Sequence, residues 1–94
     1  MPVLLKRDPI MSYDCWWLGR VFVWIGGITL GHRIYFKQPR AEVEAWRIEH
    51  ERAHVWQVER DGFVKFYAKY LWYQVRYGYR ANPYEVEARR LEQA

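Results

Sequence analysis

The chain has 94 residues, which is enough for one small domain and leaves no room for a second. It is 51% hydrophobic and 19% aromatic, so it can form a core, but a bound metal or a partner would add useful stability at this size. Its net charge of +4 comes from 15 basic and 11 acidic residues with interspersed signs, so nucleic acid is not an expected partner.

The first part of the chain predicts β-strands. Residues Val3 to Arg7 have the composition of a short edge strand, which Asp8-Pro9 would end. Two apolar, β-branched and aromatic runs follow, from Val21 to Ile25 and from Ile28 to Lys37. Because they flank the pair Gly26-Gly27, they predict a β-hairpin with its turn at the glycines.

Neither a signal peptide nor a membrane span is predicted. The stretch from Met1 to Asp8 lacks a basic start, an apolar core and a small-residue cleavage site in that order. The most apolar stretch, Trp16 to Gly31, is short for a membrane span and contains Arg20, so strands are its interpretation. The single cysteine, Cys15, excludes an intrachain disulfide and is typical of a reducing compartment. We therefore expect a cytoplasmic protein.

The second part of the chain predicts three helices. The first begins near Arg40 or Ala41 and runs to Arg60, without Gly or Pro, until Gly62 ends it. The second runs from Phe63 to Tyr77 with an aromatic stripe that predicts core packing, and Gly78 ends it. The third begins at Asn82-Pro83, a good N-cap followed by a good first helical residue. We expect an α+β domain, in which a small, mostly antiparallel sheet packs on the first helix.

The motif His50-Glu51-Arg52-Ala53-His54 lies in the middle of the first predicted helix. Histidines four positions apart share a helix face, so His50 and His54 can both bind one zinc ion. Glu51 lies near the same face, where it can take a proton from a water bound to the metal. The alternative is a set of solvated polar residues. From average residue usage the pattern arises by chance in well under about one in a hundred chains of this size.

A zinc ion held by two histidines needs a third protein ligand and an open position for water. Glu85 and Glu87 are the candidates in the third predicted helix, and because they are two residues apart they face different ways. The segment from Asn82 to Glu85 also has the spacing of a capping box, so the helix cap competes for the carboxylate of Glu85.

Other polar residues near these motifs have weaker signals. His32 is interpreted as a surface residue of a strand. Tyr79 and Arg80 precede the third helix, and either could donate a hydrogen bond to the oxyanion that forms when water attacks a peptide carbonyl. For each of them packing or surface exposure is the simpler interpretation.

The motif and its flanks resemble the active-site helix of the gluzincin metallopeptidases. With Val55-Trp56-Gln57 after it, the motif is most similar to that of the very small soluble minigluzincins and of related domains of unknown function. The resemblance covers roughly residues 28 to 90. It implies a zincin-like fold with its third ligand in a Glu-x-x-Ala setting, which Glu85 to Ala88 matches and which selects Glu85. The membrane-bound relatives of this family continue with Asp where this chain has Arg89.

The expected function is zinc-dependent hydrolysis of peptide bonds in a peptide or protein substrate. One Zn²⁺ would be held by His50, His54 and Glu85, with a water that Glu51 deprotonates. An exposed strand edge of the hairpin could hold the substrate by main-chain pairing. The alternatives are a non-catalytic zinc-binding module of a larger assembly and, with less support, a basic aromatic binder of nucleic acid or of a membrane surface.

Overall fold

A computed structural model describes residues 4–15, 17 and 27–93 of the chain. Within these residues a small sheet precedes three helices, which confirms the predicted α+β class. The strands are β1 (Ile10–Ser12), β2 (Gly27–Leu30) and β3 (Arg33–Phe36). The helices are α1 (Ala45–Asp61), α2 (Phe63–Ala81) and α3 (Pro83–Gln93).

The sheet is mixed, whereas the sequence predicts a mostly antiparallel one. Its strand order is β1-β3-β2, with β1 parallel and β2 antiparallel to β3. The predicted strand from Val3 to Arg7 is wrong for residues 4–7, and Val3 lies outside the described residues. The backbone amide of Lys6 instead donates to both carboxylate oxygens of Glu59, each at 3.0 Å. This contact holds the segment against α1, and the first strand follows Pro9.

The hairpin within the described residues turns at Gly31-His32. Gly27, which was predicted to lie in the turn, is the first residue of β2, and Gly26 lies outside the described residues. Leu30 pairs with Arg33, so two residues connect β2 to β3. Gly31 has φ 62°, in the left-handed region, and glycine is favoured at the first position of a two-residue turn. The apolar run expected to be one strand from 28 to 37 is therefore two strands. The predicted strand from Val21 to Ile25 lies outside the described residues.

Helix α1 begins later than predicted and ends where predicted. Arg40–Glu42 form one turn of 3₁₀-helix, and Val43 and Glu44 are extended, with ψ 120° and 147°. Val43 packs against the core between the sheet and α1, and this burial outweighs the helix propensity of the segment. At the other end, Gly62 has φ 88° and its amide donates to the carbonyl oxygen of Val58.

Asn82 begins the last helix as predicted, whereas α2 continues past Gly78, its predicted end, to Ala81. Gly78, with φ 81° and ψ 174°, interrupts the regular geometry of α2. Asn82 caps α3, because its Oδ1 accepts a hydrogen bond from the amide of Tyr84 at 3.0 Å. The Nδ2 of Asn82 donates to the carbonyl oxygen of Tyr70 at 3.2 Å. This fully buried asparagine therefore also joins α3 to α2.

Two apolar clusters hold α1 in place. The first packs α1 on the sheet and consists of Ile34, Phe36 and Val55. The second packs the three helices together and consists of Val58, Phe66 and Tyr84. Because each cluster contains a valine of α1, the helix is fixed against the sheet and against both other helices.

No helix in the described part of the chain is long and apolar enough to cross a membrane. Among the described residues of the stretch from Trp16 to Gly31, the strand interpretation is confirmed for Gly27–Leu30. Trp16 and residues 18–26 lie outside the described part. The cytoplasmic location stays a prediction.

Candidate metal centre

The two motif histidines and Glu85 meet in one buried group. Helix α1 places the rings of His50 and His54 one turn apart, with their centroids separated by 4.9 Å. Helix α3 brings in Glu85, whose Oε1 lies 2.9 Å from Nε2 of His50 and 3.2 Å from Nε2 of His54. No side chain of the three is more than 7% exposed. The three ligand atoms lie within 4.8 Å of one another, so the group could hold a metal ion.

The outer nitrogens of both imidazoles are held by oxygen acceptors. Nδ1 of His50 donates to Oε1 of Glu92 at 2.8 Å, and Nδ1 of His54 donates to Oε1 of Gln57 at 2.9 Å. Because both partners are acceptors, each Nδ1 carries the hydrogen. A neutral imidazole in this state presents the lone pair of Nε2 to Glu85.

The inner side of the group therefore requires a positive charge. Two nitrogen lone pairs and a carboxylate oxygen repel one another unless a proton or a cation lies between them. Burial alone would lower the pKa of His54, but its hydrogen bond to Glu85 and the negative charge there raise that pKa to about 9. Burial would raise the pKa of Glu85, but hydrogen bonds from the two histidines hold it well below its usual range. A bound metal cation would replace the proton.

Glu85 directs its carboxylate into this group and not to the helix cap. Its second oxygen, Oε2, accepts a hydrogen bond from the hydroxyl of Tyr70. Burial and the charge of Glu85 keep the pKa of Tyr70 far above its usual range, so the phenol stays a donor. The cap of α3 is left to Asn82. The sequence did not single out Tyr70, because its position in the aromatic stripe indicates only core packing.

Glu87, the other candidate in α3, faces a different set of partners. It accepts hydrogen bonds from Nε2 of Gln57 at 2.8 Å and from the guanidinium of Arg60 at 2.8 Å. Nε2 of Gln57 also donates to the carbonyl oxygen of Tyr84 at 2.9 Å. Because Glu87 and the carbonyl of Tyr84 are both acceptors, the nitrogen of the Gln57 amide faces them and its oxygen faces His54.

Glu51 is buried beside the group and is held by the hairpin. Its Oε2 accepts a hydrogen bond from the hydroxyl of Thr29 at 2.7 Å. Its charge contributes to the raised pKa of His54, so the carboxylate lies near the histidines without being one of the three converging ligands. Thr29 is the one polar side chain of β2, but a single threonine in a strand gives no signal in the sequence that it contacts Glu51.

The weaker candidates separate into one near the group and others away from it. Tyr79 is 49% exposed, and partial burial together with the charges of Glu85 and Glu51 raises its pKa to about 12. Arg80 is exposed, and its carbonyl oxygen accepts a hydrogen bond from the guanidinium of Arg89. Nε2 of His32 lies 2.7 Å from Oε2 of Glu59, outside the group.

Comparison with known proteins gives this chain no family. No protein-family model, no curated protein and no solved structure matches it. Function is therefore argued from the geometry of the described side chains.

Proposed function

We propose that the chain is a zinc-dependent peptide hydrolase in which His50, His54 and Glu85 hold one zinc ion and Glu51 is the general base. The observation that carries this proposal is the convergence of two imidazole Nε2 atoms on one carboxylate oxygen. Two histidines and one glutamate are a donor set of catalytic zinc sites in peptidases. Such sites keep a fourth position for water or substrate.

The two spacings between the histidines and Glu85 are close to those of a zinc site. Tetrahedral ligands at roughly 2.0–2.1 Å from the metal are about 3.3–3.4 Å apart. The two distances to Oε1 of Glu85 are 2.9 and 3.2 Å, and all three ligand atoms lie within 4.8 Å of one another. Imidazole nitrogens favour zinc over calcium or magnesium, which take oxygen ligands. The acceptors on both Nδ1 atoms are the outer partners that metal-binding histidines usually have.

The side chains around the site can then perform hydrolysis. A zinc ion held by His50, His54 and Glu85 would supply a Lewis acid for the peptide carbonyl and would lower the pKa of water. Glu51 takes the proton of the attacking water and passes it to the leaving amine, while Thr29 fixes one of its two oxygens. Tyr70 holds Glu85 in place. Tyr79, whose pKa of about 12 keeps it protonated, is the candidate donor to the oxyanion.

The resemblance to minigluzincins supports the same proposal, with one difference in the outer partners. Arg89 stands where membrane-bound gluzincins have an aspartate, and its guanidinium contacts the carbonyl oxygen of Arg80. The carboxylate that accepts the hydrogen bond from His50 comes instead from Glu92, three residues further along α3. We propose that in this chain Glu92, in place of that aspartate, is the residue that orients the imidazole of His50.

Removing Glu92 should weaken zinc binding without abolishing it. Glu92→Ala deletes the acceptor of Nδ1 of His50, and loss of an outer partner typically costs about 10- to 100-fold in metal affinity. Competition with a chromophoric zinc chelator measures the change. Gln93→Ala, an exposed neighbour on α3, should bind zinc as the wild type does. Equal affinity of Glu92→Ala and wild type would show that His50 is oriented without Glu92.

The edge of β2 is partly closed to a substrate strand. The hydroxyl of Tyr67 donates to the carbonyl oxygen of Thr29 at 2.8 Å and accepts from the amide of Gly31 at 2.9 Å. An extended peptide pairs with a sheet edge through main-chain groups of this kind. We infer that a substrate strand bound on β2 displaces the hydroxyl of Tyr67.

Replacing Tyr67 with phenylalanine should raise kcat/KM for peptide cleavage by about three- to tenfold, the equivalent of one net hydrogen bond. The gain should come from a lower KM, because the main-chain groups of Thr29 and Gly31 lose their hydrogen bonds to Tyr67 and can pair with the substrate. The ring of residue 67 keeps its contacts with Phe63 and Phe66. Tyr73→Phe is the matched control, since Tyr73 also packs in the aromatic cluster of the helices. A fall in kcat/KM for Tyr67→Phe would contradict substrate pairing on β2.

Metal analysis combined with a broad peptide library tests the proposed function. The wild type should bind one zinc and cleave peptides, and cleavage should stop with a chelator and return with added zinc. Binding of zinc without cleavage of any peptide would favour a second candidate, a non-catalytic zinc-binding module of a larger assembly. The deep burial of His50, His54 and Glu85 favours that candidate, because it leaves little ligand surface for a substrate.

A further inference from the structure

Helix α2 has a second apolar face that is exposed within the described part of the chain. Its aromatic face packs inward through Phe66. Four large apolar side chains on other faces of the helix are exposed to 63% or more: Val64, Leu71, Trp72 and Val75. Their spacing of seven, one and three residues places them on one side of the helix, away from the core. They are called the outer face below.

The charges of α2 are all of one sign. The helix contains Lys65, Lys69, Arg76 and Arg80 and no aspartate or glutamate. The first three lie seven, three and four residues from Trp72, so they border the outer face beside this tryptophan. The outer face is therefore apolar with a cationic margin.

We propose that the outer face of α2 docks on the surface of an anionic lipid membrane, with the helix lying in the plane of the interface. Helices that bind in this way combine Trp and Leu on one side with Lys and Arg beside them. Anionic headgroups complement the cations while the apolar side chains enter the headgroup boundary. A second copy of the chain is a poorer occupant, because a symmetric contact would bring the two cationic margins together.

Docking of this kind leaves the metal centre uncovered. Tyr70 reaches Glu85 from the inward side of α2, and the next residue, Leu71, lies on the outer face. Successive residues of a helix point about 100° apart, so the two side chains leave the helix in different directions. The proposal goes beyond peptide hydrolysis and does not depend on it.

Flotation of the protein with vesicles tests the proposal. The wild type should float with vesicles of equimolar phosphatidylcholine and phosphatidylglycerol, remain unbound with pure phosphatidylcholine, and dissociate as salt is raised. Leu71→Glu combined with Val75→Glu should abolish flotation. Lys65→Gln combined with Arg76→Gln should weaken it by about tenfold or more.

Matched variants elsewhere separate this face from general effects. Leu4→Glu with Ile10→Glu alters exposed apolar residues outside α2, and Arg33→Gln with Lys37→Gln removes the same charge from the strand region. Both should float as the wild type does, and circular dichroism checks that every variant is folded. Three results would overturn the proposal: no binding to anionic vesicles, binding unchanged by the outer-face variants, or a dimer in solution that those variants dissociate.

Discussion

Replacing Glu51 with glutamine should abolish peptide hydrolysis and leave zinc bound. The amide cannot accept the proton of the attacking water, and a positioned general base is worth about 10²- to 10⁴-fold in rate. The amide oxygen can still accept the hydrogen bond from Thr29, so the buried side chain keeps its place. Cleavage of a fluorogenic peptide and metal content of the same sample measure the two properties separately.

Glu49→Gln is the control for this substitution, because Glu49 precedes the motif on the same helix and is only half-buried. It should cleave peptides at the wild-type rate. Turnover by Glu51→Gln close to that of the wild type would assign the base to another residue. Loss of zinc in Glu51→Gln would mean that Glu51 supports the structure of the site.

Removing a ligand should cost more zinc affinity than removing an outer partner. His54→Ala and Glu85→Ala each delete one of three ligand atoms, so the loss should exceed the roughly 10- to 100-fold expected for an outer partner. Glu85→Ala also leaves the half-buried hydroxyl of Tyr70 without its acceptor, which should lower the stability of the fold. Metal content after dialysis and thermal unfolding with and without zinc measure both effects.

The other histidine and the other candidate glutamate supply the controls. His32→Ala changes a residue away from the group and should bind zinc as the wild type does. Glu87→Ala acts on His54 only through Gln57, so it should keep one zinc and lose less affinity than Glu85→Ala. Glu85→Gln preserves an acceptor for Tyr70, so it distinguishes loss of a ligand from loss of the fold. Zinc retained undiminished in both His54→Ala and Glu85→Ala would rule out the site.

Features that depend on neighbouring residues could be predicted from the sequence. Gly62 ends α1, Gly78 interrupts α2 and Asn82 caps the last helix, because glycine and asparagine act within one turn. The turn at Gly31 could not be predicted, because apolar residues surround this glycine and the pair Gly26-Gly27 is a stronger local signal for a turn. The late start of α1 depends on burial of Val43 against the sheet, which no local pattern contains.

The same distinction applies to the candidate site. Helical spacing alone places His50 and His54 together, since they lie on one element. The choice of Glu85 over Glu87 needed the family resemblance, because the sequence alone does not show which of the two carboxylates faces α1. Tyr70 and Glu92 are distant in sequence from the residues that they contact. Only the packing of three helices brings these hydroxyl and carboxylate groups together.

The hydrogen bond between Thr29 and Glu51 divides two tasks between parts of the fold. The ligands and the recorded partners of their polar atoms all belong to the three helices. The recorded side-chain partner of the base belongs to the hairpin. If the proposed function holds, a change in the hairpin should alter turnover more than the affinity for metal, and a change between the helices should act on the metal first. The base shares α1 with the two histidines, but its side-chain hydrogen bond comes from the hairpin, so metal binding and turnover could be changed separately.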